Sequence, residues 1–147
     1  MSENTTATDG VPAPQVWPSL RAADAPALIR FLVDVVGFEE TVVYADGPTV
    51  HHAQLSWPLG GGIMLGSART DPDDRWPLQP GTFGAYVVVD DPDGLHERVR
   101  VAGAEITQDL HDTDYGSRDF AIRDPEGIRW SFGTYRGEPP RTRGTRR

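Results

Sequence analysis

Four histidines are the first place to look for chemistry, because imidazole ligates metals and titrates near neutral pH. His51 and His52 are adjacent, His96 stands beside Glu97 and Arg98, and His111 follows Leu110. Neighbouring residues of a strand face opposite sides, so only one of His51 and His52 can enter a given site. With His52 inward, Gln54 and Ser56 share its face, while Ala53, Leu55 and Trp57 take the other. Two readings of His52 stand, a hydrogen-bonding contact to a ligand or a half-exposed strand histidine. His96 reads as a surface residue and His111 as loop-exposed. With no cysteine in the chain, thiolate metal sites and disulfides are excluded.

Other reactive patterns are missing. There is no Gly-x-Ser-x-Gly elbow, phosphate loop or dinucleotide fingerprint. Gly60, Gly61 and Gly62 read as turn glycines between strands. Asp71, Asp73 and Asp74 lack the following Gly and Glu of a calcium loop and read as a solvated linker.

What the chain does have is aromatic surface. Of its four tryptophans, Trp57 and Trp130 fall by alternation on a helix-facing core. Trp76 sits in a Pro-rich linker, placed to lid a pocket or line a dimer seam. An indole offers a flat stacking surface and attracts cations. Asp119, Arg123, Arg129 and Ser131, from the last two strand segments, add polar contacts.

The elements that position these residues follow from periodicity. Residues 16–21 read as a strand, and Asp24 as the N-cap of a helix whose Leu28, Phe31, Leu32, Val35 and Val36 recur at helical spacing up to Gly37. Strands follow at 38–44, 50–57 and 63–67, and residues 68–81 form a linker. A strand at 83–89, a helix at 91–102 and strands at 105–110, 118–123 and 128–132 repeat the order. A shift of 66 places Asp24 on Asp90, Gly37 on Gly103 and Glu39 on Glu105. The chain therefore reads as a tandem βαβββ duplication, neither half large enough to bury its own sheet face.

The last hairpin has a recognisable form. Asp124-Pro125-Glu126-Gly127 supplies a proline and a glycine where a tight turn needs them, and Trp130-Ser131-Phe132 lies on the strand after it. It resembles the closing hairpin of the vicinal oxygen chelate superfamily, which contains glyoxalase I, extradiol dioxygenases and bleomycin-resistance proteins. The resemblance covers about residues 16–135 and implies an α+β fold: two βαβββ modules in a curled eight-stranded mixed sheet around a cup, helices outside. Module one then spans 16–67 and module two 82–135, while composition reads residues 1–15 as a disordered lead and 136–147 as a basic disordered tail.

In metal-dependent relatives, ligands come from the first and last strand of each module. Carried over, those places fall at Trp17, at Phe83 or Gly84, near Leu65, and at Ser131, where the family has a glutamate. None is a usual metal donor apart from a weak serine hydroxyl. The expectation is no metal and no cofactor, with Trp17 either lining the cup or filling packing space.

The class implied is a non-catalytic small-molecule binder of the bleomycin-resistance type, holding a flat or cationic compound through Trp17, His52, Gln54, Trp76, Asp119, Arg123, Arg129 and Ser131. The alternatives are a related lyase, isomerase or dioxygenase with a relocated site, perhaps His52 with Asp119, and a structural or regulatory partner. A net charge of -8 disfavours nucleic acid and mildly favours cationic ligands. No membrane-length apolar run or signal peptide appears, so the expectation is a cytoplasmic protein, homodimeric as in the relatives it resembles.

Overall fold

The computed structural model describes residues 13–74 and 77–140. Expectations for residues 1–12, for Trp76 and for the basic end at 141–147 lie outside these described residues. The order is βαβββ, twice. The first module has β1 (Ser19–Ala22), α1 (Ala25–Arg30, continuing as π-helical turns over Phe31–Val36), β2 (Glu39–Asp46), β3 (Thr49–Ser56) and β4 (Gly62–Ser67). The second has β5 (Gly84–Val88), α2 (Pro92–Val101), β6 (Glu105–Asp112), β7 (Arg118–Arg123) and β8 (Arg129–Gly133).

The eight strands form two four-stranded mixed sheets, β1-β4-β3-β2 and β5-β8-β7-β6, so the fold is α+β with two modules. In each, the first strand runs parallel to the last and the other pairs are antiparallel. The chain divides into two compact units. One runs to Phe83 and includes the turn Asp124–Ile128; the other holds Gly84–Arg123 and the chain from Arg129.

Each helix begins on an aspartate cap. Asp24 Oδ1 accepts from the Ala27 N–H and Asp91 Oδ1 from the Gly94 N–H, both at 3.1 Å, with nearly identical backbone angles. The second cap is thus Asp91 rather than Asp90, an offset of 67, whereas Gly37 and Gly103 at the helix ends stay 66 apart. The first helical segment holds one residue more, and it is absorbed as π-turns: the Gly37 N–H reaches the Leu32 carbonyl five residues back.

Alternation sets the two faces of each sheet. In the first unit Leu20, Ala22, Ala53, Leu55, Ile63 and Leu65 are buried on the side where α1 packs. A β-bulge at His51, between the pairs Tyr44–His52 and Ala45–Val50, returns Val50 to that buried side. In the second unit Val87, Phe120, Ile122, Trp130 and Phe132 form the helix-side core with Val99 of α2. The Phe120 and Phe132 rings stack at 5.1 Å, and Trp130 has no exposed surface. Trp57, half-buried, packs at 4.9 Å on Phe38.

The Asp-Pro-Glu-Gly turn does more than reverse the chain. Asp124 Oδ1 accepts from the N–H groups of Glu126 and Ile128 at 2.8 and 3.0 Å, and Gly127 takes the left-handed φ of 88°. Glu126 then accepts from the Ala23 and Asp24 N–H groups at 2.8 and 2.7 Å, satisfying donors just before α1.

Four local expectations change. β1 begins at Ser19, not residue 16, because Pro14 and Pro18 offer no ladder N–H before it. β6 extends to Asp112, so His111 is a half-buried strand residue opposite Asp119 rather than a loop residue. His96 is not simply on the surface: its side chain is 15% exposed, edge-on to Phe120 and bonded to Asp109 at 2.7 Å. Asp74 is no solvated linker residue, since it pairs with Arg21 at 3.3 Å with both side chains nearly buried.

Candidate functional site

The face of each sheet away from its helix carries polar side chains together with His52, Tyr44 and Tyr86. In the first unit, register puts Ser19, Met64, Gln54 and Val42 in one row across the sheet, with His52 beside Tyr44 in the next row on β2 and β3. His52 and Tyr44 stack with ring centres 6.2 Å apart. His52 and Met64 also line an open depression of about 520 Å³ with Arg21, Ser67 and Arg69.

Trp17 lies just before β1, half-buried, with its indole N–H donating to the Pro14 carbonyl at 3.0 Å. A Cβ at Gly62 would stand 2.8 Å from the Trp17 ring, so the indole lies over that glycine at the edge of the open face. Trp17, His52 and Gln54 therefore share one face of the first unit.

In the second unit Asp119, Arg123, Arg129 and Ser131 share the corresponding face. Ser131 pairs with Ala121 on β7 and Tyr86 on β5, and Arg123 with Arg129. Arg123 forms an exposed ion pair with Glu105 at 2.9 Å. Ser131, Arg129, Gly84, Thr107 and Gln108 line an open depression of about 470 Å³. His52 and Asp119 belong to different units, each on its own sheet.

A group of residues not singled out in the sequence lies at one end of this face. Tyr86 on β5, Tyr115 and Ser117 in the β6–β7 turn, and Tyr135 after β8 surround Asp119. The Ser117 hydroxyl donates to Asp119 Oδ1 at 2.5 Å and accepts from the Tyr135 N–H at 3.0 Å. The Tyr86 hydroxyl donates to the Tyr135 carbonyl at 2.7 Å. Burial pushes the Tyr86 phenol above its ordinary value; a Ser117 hydrogen bond offsets part of that, and the Asp119 charge adds to it. Gly133 is required beneath them, because a Cβ there would collide with the Asp119 carboxylate and the Tyr86 hydroxyl.

The chain belongs to the Glyoxalase/Bleomycin resistance protein/Dioxygenase superfamily, whose family model matches residues 15–132. Among solved structures it is similar to TioX from Micromonospora sp. ML1, with 30% identity, a TM-score of 0.70, and coverage of 82% of this chain and 98% of that one. It is also similar to a lactoylglutathione lyase from Agrobacterium tumefaciens, with a TM-score of 0.62 over 84% of this chain and 94% of that one. At 23% identity, that second likeness supports the fold alone. No curated protein matches the chain.

Metal-dependent members of such a family need donors at the first and last strand of each module. The shared offset of 67 makes Trp17 the counterpart of Gly84 and Met64 the counterpart of Ser131. The last-strand place of the first module is therefore Met64, because Leu65 is 2% exposed and turned toward α1. An indole, a thioether, a hydroxyl and a glycine do not fit a hard divalent cation. Among the described residues no three His, Asp or Glu converge elsewhere. Purified protein is expected to carry far less than one zinc, manganese or iron per chain, and EDTA to leave Tm unchanged. A stoichiometric metal by elemental analysis would overturn this.

Proposed function

We propose that this protein binds a small molecule with a planar aromatic or cationic part and sequesters it without transforming it, as a bleomycin-resistance type protein does. The observation that carries the reading is the replacement of metal donors at the family places by Trp17, Met64, Gly84 and Ser131, on faces that otherwise hold aromatic and hydrogen-bonding groups. Such a face can stack and orient a ligand but offers no donor set for the Lewis acid of the family's catalytic members. On the face of the first unit the contacts offered are Trp17, His52 and Gln54; on the face of the second they are Asp119, Arg123, Arg129 and Ser131.

The same reading takes the protein to be a cytoplasmic homodimer whose benefit to the cell is resistance to a toxic compound. Among the described residues no helix is long and apolar enough to cross a membrane.

Native mass spectrometry with the planar cation proflavine tests ligand and assembly together. The expected species has twice the 16.1 kDa chain mass and takes up proflavine saturably. Trp17→Ala is expected to weaken binding roughly five- to thirtyfold, the range for losing a stacked or cation–π contact of about 1–2 kcal/mol. Unchanged affinity in Trp17→Ala would remove the indole from the site, and a species of single chain mass would remove the dimer.

A further inference from the structure

Asp119 is a buried carboxylate on the open face of the second unit. It is 8% exposed, and its carboxylate meets only neutral donors, the Ser117 hydroxyl at 2.5 Å and the Tyr115 hydroxyl at 3.5 Å. Among the described residues no Arg or His lies within ion-pair distance of it, although the exposed carboxylates of Asp90, Asp93, Asp112 and Glu105 all have an arginine. A carboxylate has about four lone-pair sites, and one held out of water without a cation is costly.

The surroundings indicate the kind of cation that would suit this carboxylate. Tyr86, Tyr115 and Tyr135 come from three separate segments and keep 43%, 64% and 38% of their surface exposed. Tyr115 and Tyr135 meet edge to face, 5.6 Å apart at 80°, and the Tyr115 hydroxyl also reaches the carboxylate. Tyr86 is held against the Tyr135 backbone, and Gly133 leaves room where any other residue would press on Asp119. Exposed aromatic rings around an unneutralised carboxylate favour a cation that is large, weakly hydrated and covered in C–H groups. A bare divalent metal ion is disfavoured, because Asp119 is the single carboxylate of the group and among the described residues no three His, Asp or Glu converge there. So is a primary ammonium, whose strong hydration the phenols do not replace.

We propose that Tyr86, Tyr115 and Tyr135 with Asp119 form a site for a methylated ammonium group of a small molecule, bound on the open face of the second unit. The proposal rests on the binding-protein reading and adds the charge and shape of the group that this unit takes. The cation packs on the tyrosine rings and faces the carboxylate oxygen that now has only the long Tyr115 contact.

Choline and its neutral isostere 3,3-dimethylbutan-1-ol separate this from apolar filling. In an NMR titration of isotope-labelled protein, choline is expected to shift Gly133, Ser117 and the three tyrosine rings saturably. The isostere is expected to bind at least tenfold more weakly. Asp119→Asn should cost choline binding at least tenfold. Tyr115→Ala, at an exposed turn where folding is not at stake, should cost about two- to fivefold. Equal binding of choline and the isostere, shifts confined to other residues, or an unaltered Tyr115→Ala would each overturn the site. If Asp119→Asn does not fold, the isostere and Tyr115→Ala still decide. Proflavine uptake read at Trp17 is independent: proflavine without choline removes only this site, and choline without proflavine removes only the stacking reading.

Discussion

Trp130→Ala is expected to lower the unfolding free energy by about 3–5 kcal/mol, the usual cost of truncating a fully buried aromatic. Trp130 has no exposed surface and sits centrally on β8, paired with Ile122 on β7 and Ala85 on β5. Phe120, Phe132 and Val99 complete the same core, so little can collapse into the space left behind. For a domain with ordinary stability of roughly 5–15 kcal/mol, that loss consumes much of the total. Urea unfolding followed by far-UV circular dichroism measures it. Ligand binding should fail only as the fold fails. A variant that stayed within 1 kcal/mol of the parent yet lost binding would place the site on the helix side of the sheet.

Gly62→Ala is expected to be the most damaging of the glycine-to-alanine changes at negative φ in the first sheet. Its new Cβ would collide with the Leu55 carbonyl oxygen, stand 2.8 Å from the Trp17 ring and 3.1 Å from the Ser56 Cα. A carbonyl within a strand pair cannot swing aside as a side-chain end can, so about 1–3 kcal/mol should be lost, as for other overpacked positions. Gly84→Ala is the control. Its nearest neighbour would be the Arg129 carbonyl at an ordinary 3.6 Å, and its stability should stay near that of the parent. Because the same Cβ pushes on the indole, Gly62→Ala should also change Trp17 emission, and Gly84→Ala should not. Equal stability for the two variants would contradict the packing of Trp17 over Gly62.

The register behind these two predictions shows what could be read from the chain. Period-two alternation is enough to turn Trp130 toward the helix-side core and His52, Gln54 and Ser131 to the opposite face, since each lies in a strand with one buried face. The Asp-Pro-Glu-Gly turn and the aspartate caps marked element ends because their side-chain hydrogen bonds are local. A placement near Leu65 does not decide between Leu65 and Met64, and in a strand one residue reverses the face; register settles it on Met64. The group around Asp119 left no local signal. Tyr86, Ser117, Asp119 and Tyr135 are assembled by the pairings of β5 with β8 and β7 with β8, and a tyrosine before a strand pairing looks like any other. The reading of His111 as loop-exposed fails because the hydrogen bonding of β6 runs on to Asp112.

The π-turns of the first helix bear on how two copies of one module can drift in length. From the N-caps to the helix-ending glycines the offset between modules falls from 67 to 66, and β2 and β6 keep the smaller value. By the pairs Ala53–Leu65 and Phe120–Phe132 it is 67 again. Each length change is thus lodged where geometry forgives it, one in a helix that can widen by a residue and one before the middle of a bulged hairpin. A strand has no such slack, since a single inserted residue would turn its whole outward row into the core. The first helix and the bulged hairpin therefore serve as expansion joints, letting the copies diverge while the last strand of each still presents Met64 or Ser131 to the same side of its sheet.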